Sequence, residues 1–419
     1  MQDLLYLVHR IPYPPNKGDK IRSYHMLKYL SARCRVHLGC FIDDASDREH
    51  LARLNTLCAS SCVVALDPFT ARLRSLRGLF SATPMSLHYY RNATLQHWVR
   101  QQLDSGKIGH ALVFSGPMAQ YLHPLPASLS APPPGCSDLR RVIDFVDVDS
   151  EKWQQYGATK RGPLAQLYRR EARHLLAYES AVAQKFDAAT FVSRAEAALF
   201  QRRAPQVTQP VDFFSNGVDA EFFSPLRLYL NPYPDGSRVL VFTGAMDYWP
   251  NVDAVAWFAT QVLAPLRARF PRLLFYIVGS RPAAAVKALA RLPGVNVTGA
   301  VPDIRPYLAH AALAVAPLRI ARGIQNKVLE AMAMAKTVLA SPQALEGISA
   351  LPGPELLLAE SAQQFIAQLT RLLTEKPDRA IGTAARRRVL QDYSWDKNLA
   401  RLGALLGLPE AALMQEHQS

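Results

Sequence analysis

"LAVAPLRIARGIQNKVLEAMAMAK", Leu313 to Lys336, passes from a short apolar run through a basic loop with one glycine into an Ala/Leu/Met segment. The apolar run reads as a buried strand, and the last segment, rich in strong helix formers, reads as a helix. Strand, short loop and helix form the repeating unit of a parallel α/β sheet. The loop lies at the strand's carboxyl end, where such sheets bind ligands. Gly323 lets the backbone approach closely, and Asn326 is the expected N-cap. The helix start offers N–H groups and a positive dipole end, an anion site. Arg319, Arg322 and Lys327 add charge. Glu330 falls on the polar side, away from Val328, Met332 and Ala335, with a carboxylate that can accept two sugar hydroxyls. Diphosphate on the loop with ribose on the glutamate describes a nucleotide-sugar site. Taken alone, such a stretch is more often a capped helix with a Lys327–Glu330 pair on a solvated face.

The surrounding chain repeats the same alternation. Strands are expected at Leu4–Val8, Val36–Phe41, Val63–Leu66, Ala111–Phe114, Val142–Phe145 and Ala188–Val192. A second set follows at Val239–Thr243, Leu273–Val278, Val295–Thr298, Leu313–Ala316, Val338–Ala340 and Leu356–Leu358. Helix-period segments intervene, among them Ile21–Ala32, Asp47–Leu57, Gly162–Lys185, Val252–Arg269 and Asn326–Ala335. Buried strands alternating with helices imply parallel sheets covered on both faces. "FFSNGVDAEFFSPLRLYLNPYPDGS" separates the two sets and marks a domain boundary, while "HPLPASLSAPPPG" (His123–Gly135) reads as a surface loop. The expectation is two Rossmann-like, doubly wound domains about a central cleft, residues 1–215 and 216–394. Residues 395–419 would form a terminal helix, at about Trp395–Leu406, and a tail that packs back on the first domain.

Length and composition fit this division. A chain of 419 residues suggests two domains, and 49% hydrophobic with 20% charged residues gives each a core. The net charge of +14 favours acidic partners: nucleic acid, anionic lipid or phosphorylated substrates. Five cysteines without a C-x-x-C pair argue against a disulfide framework or zinc site and fit a reducing cytosol. "MQDLLYLVHRIPYPP" reads as a first strand rather than a leader, and no apolar run reaches membrane-spanning length.

With these elements in order, the sequence resembles retaining glycosyltransferases of family 4, whose fold is GT-B. "NGVDAEFFSP" is similar to the family's interdomain segment, and "VFTGAMDYWPNVDAVAWF" to the first strand, loop and helix of its donor domain, which places Gly244 at the donor. "VTGAVPDIRPYL" resembles the strand and turn lining the base pocket, with Pro302 and Asp303. "GIQNKVLEAMAMAK" resembles the helix that binds diphosphate and ribose, with Gly323, Ile324, Gln325, Asn326, Lys327 and Glu330. "DFVDVDSEKW", "AMDYWPN" and "RIARGIQNKVLEAMAMA" further resemble sugar transferases encoded with exosortase/PEP-CTERM exopolysaccharide systems. The resemblance implies a nucleotide-sugar donor, a lipid-linked or oligosaccharide acceptor, no nucleic-acid partner, no cofactor or required metal, and a cytoplasmic protein that touches the inner membrane face peripherally.

Two departures stand out. The family has two glutamates eight positions apart, and the partner of Glu330 would fall on Arg322. The family's Arg and Lys after the first donor-domain strand are also absent from "GAMDYWPN". Arg319, Arg322 and Lys327 are therefore the expected phosphate charges, with Arg322 and Lys327 as catalytic candidates.

Other stretches carry less. "PYPPNKGDKIRSYH" follows the first strand where the family has its acceptor-side glycine loop, so Gly18, Asp19, Lys20 and Arg22, with Lys17, are expected near the ligand. "DFVDVDS" puts Asp147 where the family often has a histidine near the sugar, so Asp147 is the third catalytic candidate. Asp147-Val148-Asp149 also reads as a D-x-D metal motif, common by chance. Phe69, Leu73, Leu76 and Phe80 share one helical face with Arg72, Arg74 and Arg77 elsewhere, suiting either an interfacial helix or an ordinary packed one. Outside this family, a nucleotide-sugar epimerase of the same fold and a basic nucleic-acid-binding protein remain, the latter on charge alone.

Overall fold

The computed structural model of the chain describes residues 2–15, 18–122, 139–159, 161–321, 323–375 and 379–409. Two compact units emerge: Met1–Ser215 together with Asn398–Ser419, and Asn216–Lys397. The expected loop His123–Gly135 lies outside the described residues.

The first unit is built on β1 (Gln2–Val8), β2 (Cys34–Ile42), β3 (Ser60–Ala65), β4 (Ile108–Phe114), β5 (Arg140–Val146), β6 (Ala188–Phe191) and β7 (Val211–Phe213), in the order β3-β2-β1-β4-β5-β6-β7. The second holds β8 (Arg238–Thr243), β9 (Leu273–Val278), β10 (Val295–Gly299), β11 (Leu313–Ala316), β12 (Val338–Ala340) and β13 (Leu357–Leu358), in the order β10-β9-β8-β11-β12-β13. Every pairing in both sheets is parallel. Both are the Rossmann-like, doubly wound sheets expected from the sequence. Helices cover the two faces, which is why Leu4 to Val8 of β1 are all buried and the strand shows no alternation. In each sheet the strand order reverses once, between β1 and β4 and between β8 and β11. Loops at those carboxyl ends diverge and leave room for a ligand.

Three local expectations change. β7 has no counterpart among the expected strands, because "VDF" is short, half-buried and split by an acid. The Asp47–Leu57 helix is a 3-10 turn, Ala45–His50, followed by a short α-helix, Leu51–Asn55. The amphipathic Phe69–Phe80 segment is α-helical only over Pro68–Ser75, capped by the Asp67 carboxylate, and then tightens to 3-10 over Leu76–Phe80. A Cβ on Gly78 would sit 3.0 Å from the Met85 Cα, so backbone packs against backbone there. Arg74 turns inward and donates to the carbonyls of His88 and Tyr89, leaving Arg72 and Arg77 exposed.

The terminal helix, Trp395–Leu406, begins in the second unit, where Trp395 lies against Gly217, and its remainder clusters with the first. There Leu399, Leu402 and Leu406 are fully buried. Arg401 donates to the Phe213 carbonyl, and Arg140 donates to the Leu405 carbonyl.

Candidate functional site

The switch point of the second sheet brings together the loop after β8, with Gly244, and the loop after β11, which leads into the helix Asn326–Ala333. Gly244 has φ 153°, outside the range most side chains adopt, and a Cβ there would lie 2.8 Å from Asn251 Nδ2 and 3.3 Å from Lys327 Cε. The bare backbone therefore lets Lys327 come up against the first loop. Gly279, after β9, completes the close packing, since a Cβ on it would overlap the Gly244 carbonyl oxygen.

Lys327 Nζ donates to Gln325 Oε1 at 3.1 Å and stands 5.5 Å from the centre of the Phe242 ring. Burial pushes its pKa down to about 8, against the pull of Glu330. Burial likewise pushes the Glu330 carboxyl up to about 7, with Lys327 opposing. Among the described residues the two do not approach within ion-pair distance of one another or of a third charge. This is not the solvated salt bridge of an ordinary helix face. It is a cation and a carboxyl, one turn apart, both partly exposed at the surface yet crowded enough by protein to be pushed toward neutrality. Asn251 Oδ1 and Asn326 Oδ1 are also buried without a hydrogen-bond partner, although Asn251 Nδ2 donates to the Ala245 carbonyl at 2.8 Å. A void of about 10 Å³ beneath Lys327, lined by Val241, Thr243 and Val338, has room for one water and none for a nucleotide.

Several expected roles change here. Asn326 is not the N-cap: it is the first helical residue, and Gln325, in extended conformation, occupies the cap without a side-chain capping bond. Gln325 Nε2 instead donates to the Gly323 carbonyl, which has φ 64°. Arg319 is not a free phosphate charge, because its guanidinium forks onto Asp253, with Nε at 2.9 Å from Oδ2 and Nη2 on Oδ1. Arg322 lies outside the described residues. Ile324 is buried beneath Gly347. Pro302 and Asp303 follow β10, at the carboxyl end of the sheet's outer strand. Asp303 accepts a fork from Arg305, Nε and Nη2 at 2.9 and 2.7 Å, which outweighs burial and lowers its pKa.

In the first unit the loop after β1 departs most from expectation. Lys20 and Arg22 point into the core, both nearly fully buried. Lys20 Nζ is bound to Asp47 Oδ2 at 2.6 Å. Arg22 forks onto Asp144 at 2.7 and 3.0 Å, donates to the Phe214 carbonyl and stacks on the Phe214 ring. Their charges are spent inside the domain, so they are structural rather than ligand-facing. A Cβ on Gly18 would meet nothing within 4 Å, and Lys17 lies outside the described residues. Asp19 alone keeps a polar, part-exposed setting. It accepts from Arg10 Nη1 at 2.6 Å and lies 3.4 Å from His9 Nε2, and these partners, against burial, hold its carboxyl well below the usual range. His9 and Arg10, with Asp43 on Arg10 Nε, are the part of this cluster the sequence did not single out. Their only signal was position, directly after β1.

Asp147 follows β5, whose last residue, Val146, takes φ 72°, rare for a β-branched side chain. Lys152 Nζ bridges Asp147 Oδ2 at 2.8 Å and Asp149 Oδ1 at 3.0 Å. Among the described residues no group of three or more His, Cys, Asp or Glu is placed to hold a metal ion.

Residues 237–375 match the family model described as glycosyl transferases group 1. No curated protein matches. Solved structures similar to the chain include WaaG, a glycosyltransferase involved in lipopolysaccharide biosynthesis (TM-score 0.64, 16% identity, 96% of this chain and 100% of that one). HepE from Anabaena in complex with UDP and glucose is similar at TM-score 0.62 and 15% identity, covering 97% and 100%. A sucrose-phosphate synthase from Thermosynechococcus elongatus gives 0.63 and 16%, covering 97% and 98%. The match to glycosyl transferases group 1 thus lies within the second unit, and the fold of the chain is GT-B.

Proposed function

We propose that this protein is a retaining, family 4 hexosyltransferase of exopolysaccharide biosynthesis, of the kind encoded with exosortase/PEP-CTERM systems. It moves a sugar from a nucleotide-sugar to a lipid-linked glycan at the cytoplasmic membrane face. The observation that carries the reading is the under-solvated Lys327–Glu330 pair beside the bare backbone of Gly244, at the switch point of the second sheet. A diphosphate would give Lys327 its missing anion, and ribose hydroxyls would donate to Glu330. As the bond from the anomeric carbon to the diphosphate breaks, the electron pair stays on the diphosphate. Lys327 and the helix start stabilise that charge more as it grows. HepE, of the same fold, binds UDP and glucose, in keeping with such a donor. No divalent ion enters this scheme, because the lysine and helix start neutralise the phosphates. The acceptor falls to the first unit, where Asp147 is the remaining catalytic candidate.

A nucleotide-sugar epimerase would need an acid–base pair flanking the sugar and no acceptor. A nucleic-acid binder would leave the Lys327–Glu330 pair without a purpose. The peripheral membrane role draws on the Pro68–Phe80 element, where Phe69, Leu73 and Leu76 are 68%, 54% and 49% exposed alongside the exposed Arg72 and Arg77. No helix among the described residues is long and apolar enough to cross a membrane. Calorimetric titration with UDP-, GDP- and dTDP-sugars tests the central claim. Binding by wild type that Glu330→Ala abolishes or weakens supports it, whereas no binding of any nucleotide-sugar overturns it.

A further inference from the structure

The segment Pro225–Pro232 of the second unit, "PLRLYLNP", exposes Leu226, Leu228 and Leu230 at 89%, 102% and 91%. Values this high mean that each side chain projects almost as freely as in an unfolded peptide. Yet the segment is not loose. Tyr229 points the other way, its hydroxyl donating to the Ser224 carbonyl at 3.0 Å and its own carbonyl held by His310 Nε2 at 2.7 Å. Tyr233 pins the far end through the Tyr307 carbonyl at 2.7 Å. The chain thus spends its one inward-facing aromatic on anchoring and turns three leucines outward.

We propose that this leucine tip is a membrane-insertion element that docks the second unit on an anionic lipid surface, a role that deepens the peripheral reading above. Shape argues for lipid over protein. A stable protein partner needs about 800 Å² of complementary surface on each side, flat or grooved enough to be covered. Three separately projecting leucines form a convex point, which a fluid hydrocarbon phase can envelop without a matching pocket. Charge agrees. Arg227, exposed among the leucines, is the only charged residue between the two prolines and would meet the phosphates of an anionic headgroup layer. Exposed Phe222 lies just before the tip and adds an aromatic ring suited to the headgroup boundary. The tip does not depend on the amphipathic Pro68–Phe80 element, which belongs to the other unit.

The test is flotation of the full-length protein with vesicles of phosphatidylcholine, alone or mixed equally with phosphatidylglycerol. Wild type, a variant with Leu226, Leu228 and Leu230 all changed to Ser, and Leu73→Ser/Leu76→Ser are compared. The triple variant is expected to lose about tenfold or more in affinity for the anionic vesicles while melting normally and binding nucleotide-sugar as before. Leu228→Trp should show a blue-shifted emission on adding those vesicles. If the triple variant floats as wild type does, the tip inference fails and the peripheral reading stands on the first unit alone. If wild type floats with neither vesicle, both fail. A wild-type dimer that the triple variant loses would assign the tip to a second copy of the chain and overturn the proposal.

Discussion

The loops after β1 and after β11 look alike in sequence: each follows a buried strand, contains one glycine and carries closely spaced basic residues ahead of or within a helix. In the folded chain they diverge. After β1 the cations meet Asp47 and Asp144 inside the core. After β11, Arg319 is likewise met by Asp253, whereas Lys327 has no acid within ion-pair reach among the described residues, and burial drives it and Glu330 toward neutrality. What separates a cation spent inside the fold from one left for a ligand is the supply of acid from distant elements, residue by residue. Asp144 lies 122 residues from Arg22. Local spacing carries no such information.

The comparison can be broken most sharply at Arg22. Removing one partner of a buried, forked ion pair leaves a stranded charge, so Arg22→Ala should cost about 3–5 kcal/mol in chemical denaturation. A loss under about 1 kcal/mol, with acceptor binding impaired, would return Arg22 to the ligand. Lys327→Ala should do the converse, costing no stability while turnover falls by about 10²–10³. Steady-state kinetics in which only KM moved would show that the lysine binds without stabilising the departing charge.

Glu330 gives a smaller and pH-dependent effect. Glu330→Ala should weaken donor binding by about 1.5–3 kcal/mol. The folded carboxyl, near 7, holds its proton longer than the unfolded one, so its contribution to stability is full at low pH and is lost as pH rises through about 7. Lys327, lowered to about 8, penalises folding while charged and relaxes as pH climbs past that value. Between them the ligand-free protein is least favoured near pH 7–8, where a carboxylate and an ammonium are both present to receive ribose and diphosphate. Donor affinity should therefore peak in that window. Glu330→Gln should raise the melting temperature more at pH 7.5 than at pH 5.5, and an equal gain at both would contradict the assignment. The smallest effect is expected from excess EDTA and from Asp149→Asn, both leaving most turnover, with Asp147→Asn severe by contrast. Activity lost to EDTA and restored by Mn²⁺ would move the donor to the Asp147–Asp149 pair.

Fold class was largely legible, because strands buried on both faces announce themselves as apolar runs: the Leu273–Val278 and Leu313–Ala316 boundaries read from sequence are those observed. β7 escaped because an edge strand needs few apolar residues. Local geometry was legible, as with the positive φ of Gly323 and the placing of Lys327 and Glu330 one turn apart on one helix. Site chemistry was not legible where partners come from elsewhere in the chain: Asp253 engaging Arg319, Lys152 joining Asp147 to Asp149, and the His9–Arg10–Asp19 cluster.

The shared terminal helix has a consequence for synthesis. The first unit is begun first but finished after the second, since Leu399, Leu402 and Leu406, which fill its final gap, emerge only when all of the second unit has been made. The surface that will receive them, including Tyr29 facing Gly403 and the edge at Phe213, stays bare on the ribosome while the second unit is built. Cutting the gene at residue 215 would accordingly not yield two modules. It would yield one domain missing its last helix and another burdened with it.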